Sequence, residues 1–195
     1  MKKTFLLIPT LLLSILGTVL GNKPEMEKIP QDANFIMHLD IEAFRSSKVG
    51  DFILQEMLKI PQMEQKMTGL KNAFGVDIDQ LGFVTAHGSG NKDEIVAFLK
   101  GGFNSKQLEG FASLNEKIEI SKFNGQKLYS APKGAFSVLG PDSIIAATNE
   151  KLLKSSLRAR LGKTEKQEKN PILDHLNEMV EKPIAVVTAQ IPKLI

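Results

Sequence analysis

Residues 117–148 read KIEISKFNGQKLYSAPKGAFSVLGPDSIIAAT, and this stretch decides how the chain folds. Four short apolar-rich segments follow one another, each bounded by turn residues. Lys117 to Phe123 and Gln126 to Ala131 flank Asn124-Gly125. That dipeptide tolerates positive φ at both turn positions, so the two segments form a tight antiparallel hairpin. A two-residue turn pairs Phe123 with Gln126 and places Ile120 opposite Tyr129. Ala135 to Leu139 and Ile144 to Thr148 flank Gly140-Pro141-Asp142-Ser143, which predicts a second hairpin. Strands joined by hairpins imply an antiparallel sheet.

Outward from this block the pattern turns helical. Thr148 or Asn149 caps a helix through Leu161, with Leu152, Leu153, Leu157 and Leu161 apolar and Gly162 as its stop. Residues 162–170 are polar and read as a loop. Asn170-Pro171 starts a helix with Pro at the first helical position, and Ile184 to Ile191 is a last strand. That strand either completes the sheet or opens a second repeat. Upstream, Asn104 opens a helix with Gln107 placed to close a capping box. Leu81 to His87 and Glu94 to Lys100 are strands, and Asn34 to Asp40 alternates as a first strand. Between them lie helices. Val49, Phe52, Ile53, Met57 and Ile60 recur at three- and four-residue spacing, which predicts a buried stripe. Pro61 ends that segment; Met63, Met67, Leu70 and Phe74 repeat the pattern up to Gly75. The fold class expected is α+β: a mainly antiparallel sheet with helices packed on one face.

The N-terminus carries an address. Lys2 and Lys3 precede an apolar run from Phe5 to Leu20, with Val19-Leu20-Gly21 suited to a signal peptidase. The run holds about sixteen residues, short of the roughly 20 that a bilayer-spanning helix wants. The organisation expected is a signal peptide over 1–21, a linker over 22–33 and a single α+β domain over 34–195. An uncleaved leader would instead tether the same domain outside the membrane. Without a cysteine, a lipid anchor has nothing to acylate.

Charge and composition narrow the partners. The 195 residues carry 25 Lys+Arg against 22 Asp+Glu. Without Lys2 and Lys3 the balance is 23 against 22, so the basic character is no nucleic-acid signature. An exported chain with no Cys relies on apolar packing, which points to a bacterial periplasm or cell surface. Trp is absent and Tyr occurs once, so no aromatic platform for sugars or single strands is expected.

Searches for chemistry end mostly in structural readings. His38 and His87 sit on separate strands, and each reads as a satisfied edge or surface histidine; they meet only if those strands neighbour each other. His175 reads as solvent-facing. Asp77-Ile78-Asp79-Gln80-Leu81-Gly82 begins like a calcium loop, but Leu81 and Gly88 stand where ligands are needed. It reads as a helix-to-strand connection in which Asp77 or Asp79 bonds locally. Gly88-Ser89-Gly90 precedes a strand, so it lacks the helix N-terminus of a phosphate loop. Ser130-Ala-Pro-Lys133 has the spacing of a penicillin-recognising serine, but Pro132 and Gly134 forbid the helix that this motif needs. Lys151, Lys154 and Arg158 share a helix face, where late basic residues complement the dipole. Asp40, Glu42, Asp77 and Asp79 are the carboxylates that a hydrolase would draw on, and Asp40 also suits a helix cap.

Phe35-Ile-Met-His-Leu-Asp40, Phe74-Gly-Val-Asp-Ile-Asp-Gln-Leu-Gly-Phe-Val-Thr85 and Ala97-Phe-Leu-Lys-Gly-Gly-Phe103 resemble a recurring layout. It is that of uncharacterised exported bacterial α+β domain proteins, domains of unknown function. The likeness covers residues 33–150 and implies an exported domain, with no activity or site to carry over. The expectation is a non-enzymatic periplasmic or cell-surface domain that binds a protein partner or envelope component. No cofactor, metal or catalytic residue is assigned; His38, Asp40, Asp77, Asp79 and His87 are the candidate site residues. The rival classes are a hydrolase using scattered carboxylates and a carrier of apolar ligands.

Overall fold

The computed structural model describes residues 25, 28–91, 93–162, 170, 172–174, 176 and 184–189. Its elements run β1 (Phe35–Asp40), α1 (Ile41–Ser46), α2 (Lys48–Leu58), α3 (Pro61–Phe74), β2 (Val76–Gly88), β3 (Ile95–Phe103) and α4 (Ser105–Leu114). Then follow β4 (Glu119–Phe123), β5 (Gln126–Ala131), β6 (Gly134–Gly140), β7 (Ser143–Ala147), α5 (Glu150–Arg160) and β8 (Ala185–Ala189). The strands form one eight-stranded sheet in the order β4-β5-β6-β7-β3-β2-β1-β8. Every pairing among the described residues is antiparallel. This is an α+β fold.

The hairpins form as the sequence dictates. Phe123 pairs Gln126 and Ile120 pairs Tyr129, around Asn124 at φ 51 and Gly125 at φ 86. Both dihedrals are positive, as a type I′ turn requires. Asn149 caps α5 through a 3.0 Å bond from the Leu152 N–H to its Oδ1. Asn104 caps α4 in the same way, but Gln107 does not close the box. Its Nε2 donates instead to the Asn72 carbonyl, 2.8 Å away, and ties α4 to α3.

Register assigns side chains to faces. Ile36, His38 and Asp40 point to one side of the sheet, together with Thr85, His87, Val96, Phe98 and Ile145. Helix α5 covers that side. Leu153 and Leu157 are fully buried against Phe98, Leu128, Ala135 and Ile145. Each such leucine contributes about 2 kcal/mol through apolar burial. Beyond α5, helical Ile172, Leu173 and Leu176 pack on Ile36 with Ile29 and Ala33. Residues of the stretch read as a linker therefore reach the core. Asn170 fastens them further: its Nδ2 donates to the carbonyls of Gln31 and Ala33, both at 2.8 Å. Helix α4 lies on the opposite side, where the Tyr129 hydroxyl donates to Glu109 at 2.7 Å.

Two expectations about the elements are corrected. The stripe on α2 is not buried: Phe52 is 62% exposed, and Gly50 is the helix's buried residue. Helical spacing reports a one-sided apolar face, and what covers that face is a tertiary matter. Asp77 and Asp79 lie within β2, which begins at Val76 and pairs with Phe103 after irregularities at Leu81. The two strands run on past their bulge, so the presumed connection is strand. His175 and residues 163–169 of the expected loop lie outside the described residues, as do residues 1–24.

Candidate functional site

The candidate residues divide between two places. Asp40 ends β1 and caps α1, accepting the Ala43 N–H at 2.7 Å. Asp77 pairs with Lys71 at 2.7 Å and accepts the Asp79 N–H at 3.2 Å. The hydrogen bond from Lys71 is the main cause that holds the Asp77 carboxyl below its ordinary range. These roles terminate and brace elements. Among the described residues no group of three or more His, Asp or Glu side chains is arranged to hold a metal ion.

His38 and His87 are not surface residues, which corrects their expected placement. Strands β1 and β2 are neighbours, with His38 opposite Thr85 and His87 opposite Ile36. Both rings point to the helix-covered side, and only 1% and 7% of their surface is exposed. The His38 Nδ1 lies 2.8 Å from the Thr85 hydroxyl. His87 lines a crevice of about 10 Å³ with Thr85, Phe98, Ile145, Glu25 and Arg160, room for roughly one water. Burial, then the charge of Arg160, holds the His87 pKa down at about 4. The ring is therefore neutral at physiological pH.

Arg160 organises this crevice. Its guanidinium stands 3.7 Å from the centre of the Phe98 ring and pairs with Glu25 at 2.6 Å. Burial works against ionising Glu25, but hydrogen bonds and charges from Lys28 and Arg160 outweigh it and lower its pKa. The cluster ties the segment before β1 to the end of α5. Sequence reading missed it because 135 positions separate its partners. On the neighbouring basic face Lys151 and Arg158 are exposed; the Arg158 guanidinium lies 5.2 Å from the Phe123 ring, and Lys154 pairs with Glu150 at 2.5 Å.

The more conspicuous feature is apolar. Helices α2 and α3 leave the sheet between β1 and β2. Gly50 lets α2 start against α1, since a Cβ there would stand 1.8 Å from the Phe44 carbonyl oxygen. At the far end, Phe74 meets Phe111 of α4 edge-on, with ring centres 4.7 Å apart. Between these anchors Val49, Phe52, Ile53, Met57, Leu58 and Ile60 are exposed. The sheet side opposite α5 carries Met37, 42% exposed, and Val187, 66% exposed, in register as neighbours. Exposed apolar residues gathered on one helix face mark interaction sites in folded domains.

No family model matches this chain, and no curated relative does. Solved structures of TP0453 are similar to it. Crystal form III superposes with a TM-score of 0.50 at 10% identity, covering 83% of this chain and 60% of that one. Crystal form IV gives 0.47 at 10% identity, with 80% and 59% covered. Crystal form I gives 0.44 at 12% identity, with 80% and 58% covered. This chain therefore spans about 60% of the TP0453 length; at such identity the likeness to crystal form III is one of fold alone.

Proposed function

We propose that this chain is an exported, non-enzymatic binding domain of a bacterial envelope, acting in the periplasm or at the cell surface. The observation that carries the reading is the α2–α3 arm: α2 turns its apolar stripe to solvent, and α3 has no fully buried residue. Holding that stripe in water is unfavourable unless a partner covers it. Of the carboxylates a hydrolase would use, Asp40 is engaged in a cap and Asp77 in an ion pair. The reading of residues 1–21 as a leader supplies the compartment.

The test compares the native chain with a Phe52→Asp, Ile60→Asp double variant after expression in its host. Asp suits position 60, the N-cap of α3, so folding is preserved there. The native chain is expected in a larger envelope-associated complex, and the variant free of it with unchanged circular dichroism. Identical fractionation of the two proteins refutes the role of the arm. N-terminal sequencing of the recovered chain is expected to begin at Asn22; recovery from the cytosol starting at Met1 refutes the compartment.

A further inference from the structure

Among the described residues strand β8 stands at one edge of the sheet, and its outer backbone is complementary to a second copy of itself. The Asp40 N–H donates to the Ile184 carbonyl at 2.8 Å. Antiparallel pairing alternates, so positions 184, 186 and 188 exchange hydrogen bonds with 40, 38 and 36 of β1. The N–H and C=O groups of Ala185, Val187 and Ala189 therefore point away from the sheet. No strand pairs with that side among the described residues.

Folded proteins normally guard such an edge with charge, proline or a bulge. The opposite edge follows that rule, since β4 exposes Glu119 and Lys122. Strand β8 reads Ala-Val-Val-Thr-Ala and carries none of these devices. We propose that β8 pairs antiparallel with β8 of a second copy, centred on Val187, to make a two-fold dimer with one continuous sheet.

Three features favour this occupant. First, the register centred on Val187 sets Val187 opposite its mate and Ala185 opposite Ala189 of the second copy. All three outward-pointing residues then exchange hydrogen bonds with one another; a shift by two positions leaves only two of the three matched among themselves. Second, the segment is close to a palindrome. Alanine faces alanine, Val186 faces Thr188, and no like charges meet, so the cross-strand pairs favour association. Third, the two-fold keeps the faces matched. Val187 of both copies lies on the side that carries Met37, so the exposed apolar strip runs across the axis. The assembly closes at two copies because, among the described residues, the remaining edges are the charged β4 strands. This pairing is independent of whatever covers the α2–α3 arm.

Sedimentation of the chain, in the form its host processes it, tests the pairing. A dimer is expected. Val187→Pro removes an outward N–H that β1 does not use, so the edge tolerates it, and it deletes two bonds at the centre of the interface. Its dimer Kd is expected to rise about tenfold or more. Val187→Lys brings two ammonium groups together and is expected to be monomeric, while Ile120→Lys on the other edge remains dimeric. In the native dimer the Val187 amide is expected to exchange slowly with solvent and to lose that protection on dilution. A native chain that is monomeric up to about 100 μM overturns the proposal. So does a dimer that both Val187 variants preserve. If either variant fails to fold, fast exchange of the Val187 amide in the native dimer overturns it.

Discussion

Lowering the pH from 7 to 5 is expected to weaken the fold through His87, well before carboxylate protonation contributes. The ring is 7% exposed, and its pKa is held at about 4 against an ordinary 6.5. A base whose pKa is depressed on folding binds fewer protons in the native state than in the unfolded chain. Its contribution is fully present above pH 6.5 and is lost as pH falls from there towards 4. The linkage amounts to about 2 kcal/mol between pH 7 and pH 5, against a total of roughly 5–15 kcal/mol for a domain. The carboxylates with lowered pKa values, Glu25, Asp77, Glu94, Asp142 and Glu150, act in the same direction only below about pH 4.5. The groups facing His87 from neighbouring elements are Arg160 on α5 and Glu25 and Lys28 before β1; along the sheet it shares its side with His38. The assay is urea unfolding followed by circular dichroism at pH 7, 6 and 5. His87→Leu should lose about 2 kcal/mol less than the native chain over that range, because only the His87 share is removed. Parallel pH profiles for the two proteins refute the assignment of a buried, neutral His87.

Three further outcomes probe the fold. Leu153→Ala leaves a cavity in the cluster under α5 and is expected to cost about 3 kcal/mol in urea unfolding, whereas Leu114→Ala, at an 87% exposed position, should stay within about 0.5 kcal/mol. Gly125→Ala places a Cβ at φ 86 in the β4–β5 turn and should cost about 1 kcal/mol; unchanged thermal stability contradicts the turn type. Phe52→Asp should leave stability within about 0.5 kcal/mol of the native chain, and a loss above about 2 kcal/mol would show that α2 packs against its own domain in solution.

Local chemistry was legible where a few adjacent residues decide the outcome. Asn124-Gly125 set a turn and its register because both dihedrals are positive there. Asn104, Asn149 and Gly75 bounded helices because their side chains or backbone conformations satisfy terminal groups nearby. Asp40 was readable as a cap for the same reason. Wherever the partner lay far along the chain, the reading failed. Gln107 had the right spacing for a capping box, yet Asn72 offered its amide a carbonyl on another helix. His87 looked like a rim residue because its strand leads into a glycine turn, and only the docking of α5 with Arg160 puts it inside.

The sequence by itself determined an α+β chain of hairpins and amphipathic helices, since the periods of two and near four follow from backbone geometry. Tertiary structure alone decided which apolar faces are covered. The stripes on α2 and α5 follow the same spacing rule, yet α5 lies across the sheet, while α2 sits in a 35-residue excursion between two neighbouring strands and meets little but α1 and α3. Periodicity records that a helix has an apolar side; the strand order, with β2 beside β1 and β8 left at the edge, determines whether anything in the molecule is there to bury it.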